Sequence, residues 1–263
     1  MYKYYRPFRI VSPSPWPIFM SFSLASLLLS LVSIMHNFNN GLMLFYIGLF
    51  MVLITFVAWC KDTVAEACFL GFHTSLVQTG IKSGFYLFVI SEVFVFFSVF
   101  WAFFYASLAP NVEIGCVFPS IGIIPFNPWS VPLLNTLILL TSGVSLTWSR
   151  RSIILGDRKS TVNGLVVTIV LGLIFTIFQF IEYKEATFTI NDSVYGTTFF
   201  ACTGLRGIRV IVGTVFLIIS LIRIFNYELT RHRHISFELA ILYWHFVDVV
   251  WLFLFLVLYW WAF

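Results

Sequence analysis

Seven stretches of this chain are long and apolar enough to cross a lipid bilayer, and that feature leaves few folds open. They lie near residues 17–36, 42–60, 83–108, 129–149, 162–181, 193–222 and 237–262. About 20 apolar residues are needed to span the roughly 30 Å of hydrocarbon as a helix. The long third, sixth and seventh runs have length to spare for tilt or for projection beyond the hydrocarbon. Composition agrees with this. Only 10% of the residues are charged, against about 25% in soluble domains, so the chain could not cover a water-facing surface. A soluble enzyme, a nucleic-acid binder and a disordered chain are excluded. The expected fold class is all-α, a polytopic membrane protein with seven transmembrane helices.

Turn-forming residues separate the runs: Asn37 to Gly41, a Pro- and Gly-containing stretch from Pro110 to Pro128, and Leu155-Gly156-Asp157. Trp16, Trp59, Trp129, Trp148, Trp260 and Trp261 stand at run ends, where indole rings settle at the headgroup level. The charges fix the direction of crossing. With the N-terminus on side one, that side collects Lys3, Arg6, Arg9, Lys61, Lys82, Arg150, Arg151, Arg158, Lys159, Arg223, Arg231 and Arg233, while side two has Lys184 alone. The positive-inside rule then places the N-terminus in the cytoplasm or matrix and the C-terminus opposite. The first seventeen residues run into the first span without a small-residue cleavage site, which argues against a cleaved signal or a long transit peptide.

Ionisable residues at mid-bilayer are costly and point to function or to a partner. At 1.5 Å per residue, Glu92 lies roughly 15 Å from Lys82, Asp248 roughly 15 Å from Glu238, and Arg209 roughly 21 Å from Arg223. Arg206 is one turn from Arg209, and His245 one turn from Asp248. Glu92, Arg206, Arg209, His245 and Asp248 therefore form a candidate polar cluster at comparable depth. Three readings are open: a charge-balanced pairing that locks spans three, six and seven together, a proton or ion path, or snorkelling contact with lipid headgroups. Haem or copper needs several inward-facing ligands. Only His245 lies well inside a span, while His36, His73, His232 and His234 lie at boundaries or in loops. No metal site is expected on this chain. Cys60, Cys68, Cys116 and Cys202 form no C-x-x-C pair and suggest neither zinc nor disulfides.

Seven spans do not name a function by themselves. A retinal protein needs a lysine deep in the last span, and residues 237–262 contain none. A transporter is favoured by repeated halves, and no repeat is evident. Gly80-x-x-x-Gly84 and Gly204-x-x-Gly207 would permit close helix approach. The Asn191-Asp192-Ser193 sequon sits too near the membrane to be a good acceptor. Trp59, Lys61, Asp62, Glu66 and His73 gather at the basic-side interface, where they could meet phosphate headgroups or form a solvated loop.

The stretches Pro13-Ser-Pro-Trp-Pro17, Ile90-Ser-Glu-Val93, Phe100-Trp-Ala-Phe103, Ser107-Leu-Ala-Pro110, Val131-Pro-Leu-Leu-Asn-Thr136, Gly156-Asp-Arg-Lys159, Val194-Tyr-Gly196 and Tyr243-Trp-His-Phe-Val-Asp-Val-Val-Trp251 carry a resemblance. In order from residue 13 to 262, the chain resembles the subunit III family of cytochrome c oxidases in its mitochondrially encoded form. The resemblance implies a non-catalytic core subunit of the terminal respiratory oxidase in the mitochondrial inner membrane. It implies a single membrane domain, with a two-helix part (17–64) and a five-helix bundle (82–262) separated by a lipid-filled V-shaped cleft. It implies packing against oxidase subunit one, which bears haem a, haem a3 and copper, among other core and accessory subunits, with support of that subunit's stability and proton uptake. Glu92 matches the family's buried carboxylate. Trp59, Glu66, His73 and Arg223 match its headgroup-contacting positions, with Lys61 beside them. Two departures stand out: Ala65 replaces a common arginine, and Thr203-Gly-Leu-Arg-Gly-Ile-Arg209 replaces a T-G-x-H-G-x-H pattern. The arginines of that stretch are expected to pair with Glu92 or Asp248 or to meet a lipid phosphate. The alternatives are the equivalent subunit of a quinol oxidase and, from another class, an independent transporter or channel.

Overall fold

The computed structural model describes residues 13–262 apart from 111, 113, 114 and 232, so Lys3, Arg6, Arg9 and His232 lie outside the described residues. Seven helices follow in chain order: α1 Trp16–Met35, α2 Gly41–Cys68, α3 Ser75–Leu108, α4 Val131–Leu155, α5 Arg158–Glu185, α6 Val194–Phe225 and α7 Ile235–Leu254, continued by a π-helical turn Phe255–Trp260. All seven are long and apolar enough to cross a membrane, and no strand occurs among the described residues.

The ends of the helices follow local chemistry. Pro17 and Pro132 sit in the first turns of α1 and α4, where no intrahelical N–H is needed. Gly156, at φ +87°, closes α4, with Asp157 N–H donating back to the Ser152 carbonyl at 3.0 Å. Asp157 then caps α5, accepting from the Lys159 and Ser160 amides at 3.1 and 3.4 Å. Ser193 caps α6 in the same way through the Tyr195 and Gly196 amides, so this part of the sequon serves the helix start.

Several helices outrun their apolar stretches. α2 continues two turns past Cys60, so Lys61, Asp62 and Glu66 stand on a helix and not in a loop. Similarly, α3 starts at Ser75, which puts Lys82 two turns inside it. Hydropathy marks the length that must be apolar. A helix can run on into the interface wherever good formers such as Ala, Glu and Lys follow.

The chain divides into two compact units, 1–81 and 82–263. In the first, α1 and α2 meet through small residues. Ser23, Ser30, Gly41, Gly48 and Thr55 are buried, and a Cβ at Gly48 would stand 3.0 Å from the Leu27 Cα. Apolar side chains gain little by leaving lipid for each other, so close backbone approach holds such pairs. Trp16 Nε1 donates to Asp62 at the basic-side end of this pair.

In the second unit α7 is the axis. Half of its apolar window is buried, against 11% for α3. Trp244 lies over Gly172 and Gly213 and donates Nε1 to Ser142 Oγ at 2.9 Å. α4 and α5 are joined by Ser145 with Thr168 at 2.8 Å and by the Ser149 hydroxyl donating to the Thr161 carbonyl. A Cβ at Gly164 would fall 2.9 Å from Ser149 Cβ. By contrast, nothing lies within 4 Å of a Cβ built at Gly80, Gly84, Gly204 or Gly207. The glycines that allow close approach are others, because spacing alone does not say which face a glycine occupies.

Candidate functional site

The polar residues inside the spans of the second unit sort into three groups. The first joins α3 to α6: Arg209 Nη2 forms an ion pair with Glu92 Oε2, and the guanidinium lies 4.2 Å over the Phe96 ring. Phe96 follows Glu92 by four residues, so ring and carboxylate share one face of α3.

Arg206 does not join that pair. Its Nη2 donates to Gln179 Oε1 of α5, and its guanidinium lies 3.8 Å from the Trp251 ring and 4.3 Å from the Phe175 ring, two rings that themselves meet edge to face. Gln179 Nε2 donates to Glu182 Oε2 at 3.1 Å, and the Tyr259 hydroxyl of the π-helical turn faces the same carboxylate. Arg206 is 0% exposed and Glu182 2%. Their charges neutralise each other across a glutamine, inside a protein interior where an isolated ion would be very costly. The arginines were expected to pair with Glu92 or Asp248 or to meet a lipid phosphate; Arg209 does meet Glu92, whereas Arg206 turns to α5. Arg206 finds Glu182, a residue overlooked because it stands at the end of span five beside Lys184 and Glu185. The one sequence signal for it was the spacing Gln179-x-x-Glu182, one turn apart on a helix face.

The third group lies on α7. His245 Nδ1 is 3.8 Å from Asp248 Oδ2, and Gly143 of α4 gives them room: a Cβ there would be 3.0 Å from the carboxylate oxygen. The sequence-predicted cluster of Glu92, Arg206, Arg209, His245 and Asp248 is thus three adjoining arrangements.

At the basic-side ends, Lys82 bridges α3 to Glu238 of α7 at 2.6 Å, and His234 approaches the same carboxylate at 3.4 Å. Arg158 donates to the Phe225 carbonyl at 2.8 Å and stacks 3.7 Å over Tyr227, closing the end of α6 where the helix dipole is negative.

Of the five headgroup candidates, Trp59, Lys61 and Glu66 stand on α2 and His73 in the turn that follows, all in the first unit. Trp59 and Glu66 are two turns apart and share a face. Arg223 belongs to the second unit, in the last turn of α6, and donates to Glu228 Oε2 at 2.9 Å and to Ser236 Oγ at 2.7 Å. Among the described residues, no three His, Cys, Asp or Glu side chains gather as a metal site, and the four cysteines are free thiols.

Residues 6–263 match the family described as Cytochrome c oxidase subunit III. Named relatives are similar over nearly their whole length. Cytochrome c oxidase subunit 3 of Podospora anserina is 51% identical over 256 residues, covering 97% of this chain and 95% of the relative. That of Triticum aestivum is 50% identical, covering 97% and 96%. That of Paracentrotus lividus is 49% identical, covering 100% of both.

Proposed function

The chain belongs to the cytochrome c oxidase subunit III family, and from that premise we propose that it is a non-catalytic, lipid-binding subunit that stabilises its haem- and copper-bearing partner. The observation that carries this is the fate of its ionisable side chains. Glu92 is matched by Arg209, and Arg206 is matched through Gln179 by Glu182, each within the helical bundle. Groups held in this way lock helices together and offer no reactive centre. Haem a, haem a3 and copper belong to partner subunits, oxidase subunit one foremost.

Trp59, Lys61, Glu66 and His73 on the first unit, and Arg223 on the second, contact phospholipid headgroups at the basic end of the molecule. An indole, an ammonium and a guanidinium at that level suit anionic headgroups. The complex sits in the mitochondrial inner membrane with the N-terminus of this chain in the matrix and its C-terminus in the intermembrane space. Its role in proton uptake is indirect, through the shape and stability of the partner's matrix-side entrance. The test is gentle detergent extraction, purification through this chain and a haem absorbance spectrum. Co-migration with haem a supports the reading, and a colourless lone protein overturns it. The purified chain in liposomes is expected to transport nothing; transport would favour the channel alternative.

A further inference from the structure

Four polar side chains of the second unit come from four helices yet lie at one level of the bundle. The antiparallel register of α4 and α7 is pinned where Trp244 Nε1 donates to Ser142 Oγ. Two turns further along each helix, roughly 10 Å, Asn135 comes opposite Trp251. The antiparallel register of α4 and α5 is pinned at Ser145 with Thr168, and the same step along both helices brings Asn135 beside Gln179. Gln179 in turn accepts from Arg206 of α6, and the Arg206 guanidinium lies 3.8 Å from the Trp251 ring. Three independent registers therefore bring Asn135, Gln179, Arg206 and Trp251 together.

The protein does not satisfy the polar atoms it gathers there. Asn135, Arg206 and Trp251 are each 0% exposed. Both amide atoms of Asn135, Nε and Nη1 of Arg206 and Nε1 of Trp251 have no hydrogen-bond partner among the described residues. Buried groups of this kind are costly to leave bare, and where no protein group reaches them ordered water does. The set suits water in particular, because it mixes several N–H donors with the Asn135 carbonyl, and a buried water both donates and accepts. A cation would meet the guanidinium, an anion would meet the neighbouring Glu182 carboxylate, and an apolar molecule would satisfy none of the atoms.

The level is shallow on one side and closed on the other. Asn135 stands four residues into α4, about 6 Å, and Gln179 six residues before the end of α5, about 9 Å. Both distances run to the end of the bundle opposite the basic side. Toward the basic side Trp244 fills the space. A Cβ at Gly172 would fall 2.7 Å from its Cη2 and one at Gly213 3.1 Å from its Cε3, and its N–H is already taken by Ser142.

We propose that this level is a blind hydrated pocket. Ordered water is held by the Asn135 amide, Arg206 Nε and Nη1 and Trp251 Nε1, is reached from the end opposite the basic side, and is stopped by Trp244. The water solvates the free edge of the guanidinium, which lets an arginine sit inside the bundle without opening a path across the membrane.

The test is X-ray radiolysis of the detergent-purified complex in ordinary and in heavy-oxygen water, with peptides of this chain read by mass spectrometry. Hydroxyl radicals form where water sits, so a buried side chain is labelled only when water lies beside it. Trp244 and Trp251 are both 0% exposed on one helix, and each is the other's control. Trp251 is expected to take up at least about fivefold more label than Trp244, with its oxygen drawn from the heavy water. Asn135→Leu is expected to cut labelling of Trp251 at least about threefold and to leave Trp244 unchanged. Equal labelling of the two tryptophans in the unsubstituted complex would overturn the pocket. So would a density map fine enough to show water in which Asn135 pairs directly with Arg206 or Trp251. The expected map has an ordered peak within about 3.2 Å of at least two of the named atoms.

Discussion

Arg206→Met tests whether the buried arginine is held by its surroundings. The side chain is fully buried, donates to Gln179, and stacks on Trp251 and Phe175. Methionine keeps much of the volume and most of the ring contact, so the loss is chiefly electrostatic. Glu182 would then be a buried carboxylate with the Gln179 amide at 3.1 Å and the Tyr259 hydroxyl but no cation. Removing one member of a buried ion pair costs about 3–5 kcal/mol, and a desolvated cation–π contact adds about 2 kcal/mol. Arg206→Met should therefore destabilise the chain by about 5–7 kcal/mol. Adding Glu182→Gln removes the orphaned charge and should return at least ~2 kcal/mol, a coupling that independent sites lack. As a control, Lys184→Met removes an exposed ammonium that lies 4.9 Å over the Phe180 ring, and it should cost less than about 1 kcal/mol. The assay is SDS-titrated unfolding in mixed micelles, followed by tryptophan fluorescence. A loss below 1 kcal/mol for Arg206→Met, or strict additivity with Glu182→Gln, would refute the reasoning.

Arg209→Leu should cost about 3–5 kcal/mol, because it leaves the Glu92 carboxylate at mid-bilayer depth without its cation; the same titration measures it. Gly172→Ala would bring a methyl to 2.7 Å from Trp244 Cη2 and 2.9 Å from Thr214 Cγ2, an overpacking worth about 1–3 kcal/mol. Gly204→Ala meets open space and should stabilise α6 by about 0.5–1 kcal/mol, so the two variants should move in opposite directions in a thermal melt. At the start of α5 the Ser160 hydroxyl, with the Ser160 and Lys159 amides, holds the Asp157 carboxyl below the ordinary carboxylate range. Such a group stabilises above its unfolded value of about 3.9 and loses that contribution as the pH falls through the lower folded value. Amide exchange at Lys159 and Ser160 should therefore accelerate in acid beyond the intrinsic rate, and Asp157→Asn should flatten that response while keeping an acceptor for the cap.

The number of crossings was legible because it depends on one bulk property, apolar length. The positions of Asp157 and Ser193 as caps were open to a reading of local chemistry, as was the turn at Gly156. What hydropathy could not reach were helix ends in the interface. There Lys61 and Glu66 on α2 are as compatible with a helix as with a loop, and length in water is not limited by bilayer thickness. Nor could spacing say which glycines face a neighbour: Gly172 and Gly213 are pressed by Trp244, while Gly204 and Gly207, with a closer spacing, face nothing.

The partners of the two arginines show the same limit in the site. Depth counted along each helix puts Arg206 and Arg209 near Glu92 and Asp248, and for Arg209 the geometry agrees. Arg206 is offset from Arg209 by three residues, about 300° around the helix, which turns its side chain about 60° toward α5. There the nearest polar groups are Gln179 and Glu182. An arginine side chain is long enough that depth at the Cα is a poor guide to depth at the guanidinium, and Glu182 lies just past the apolar run 162–181. Once Arg206 is assigned to Glu182 and Arg209 to Glu92, His245 and Asp248 remain as a pair of their own on α7, 3.8 Å apart.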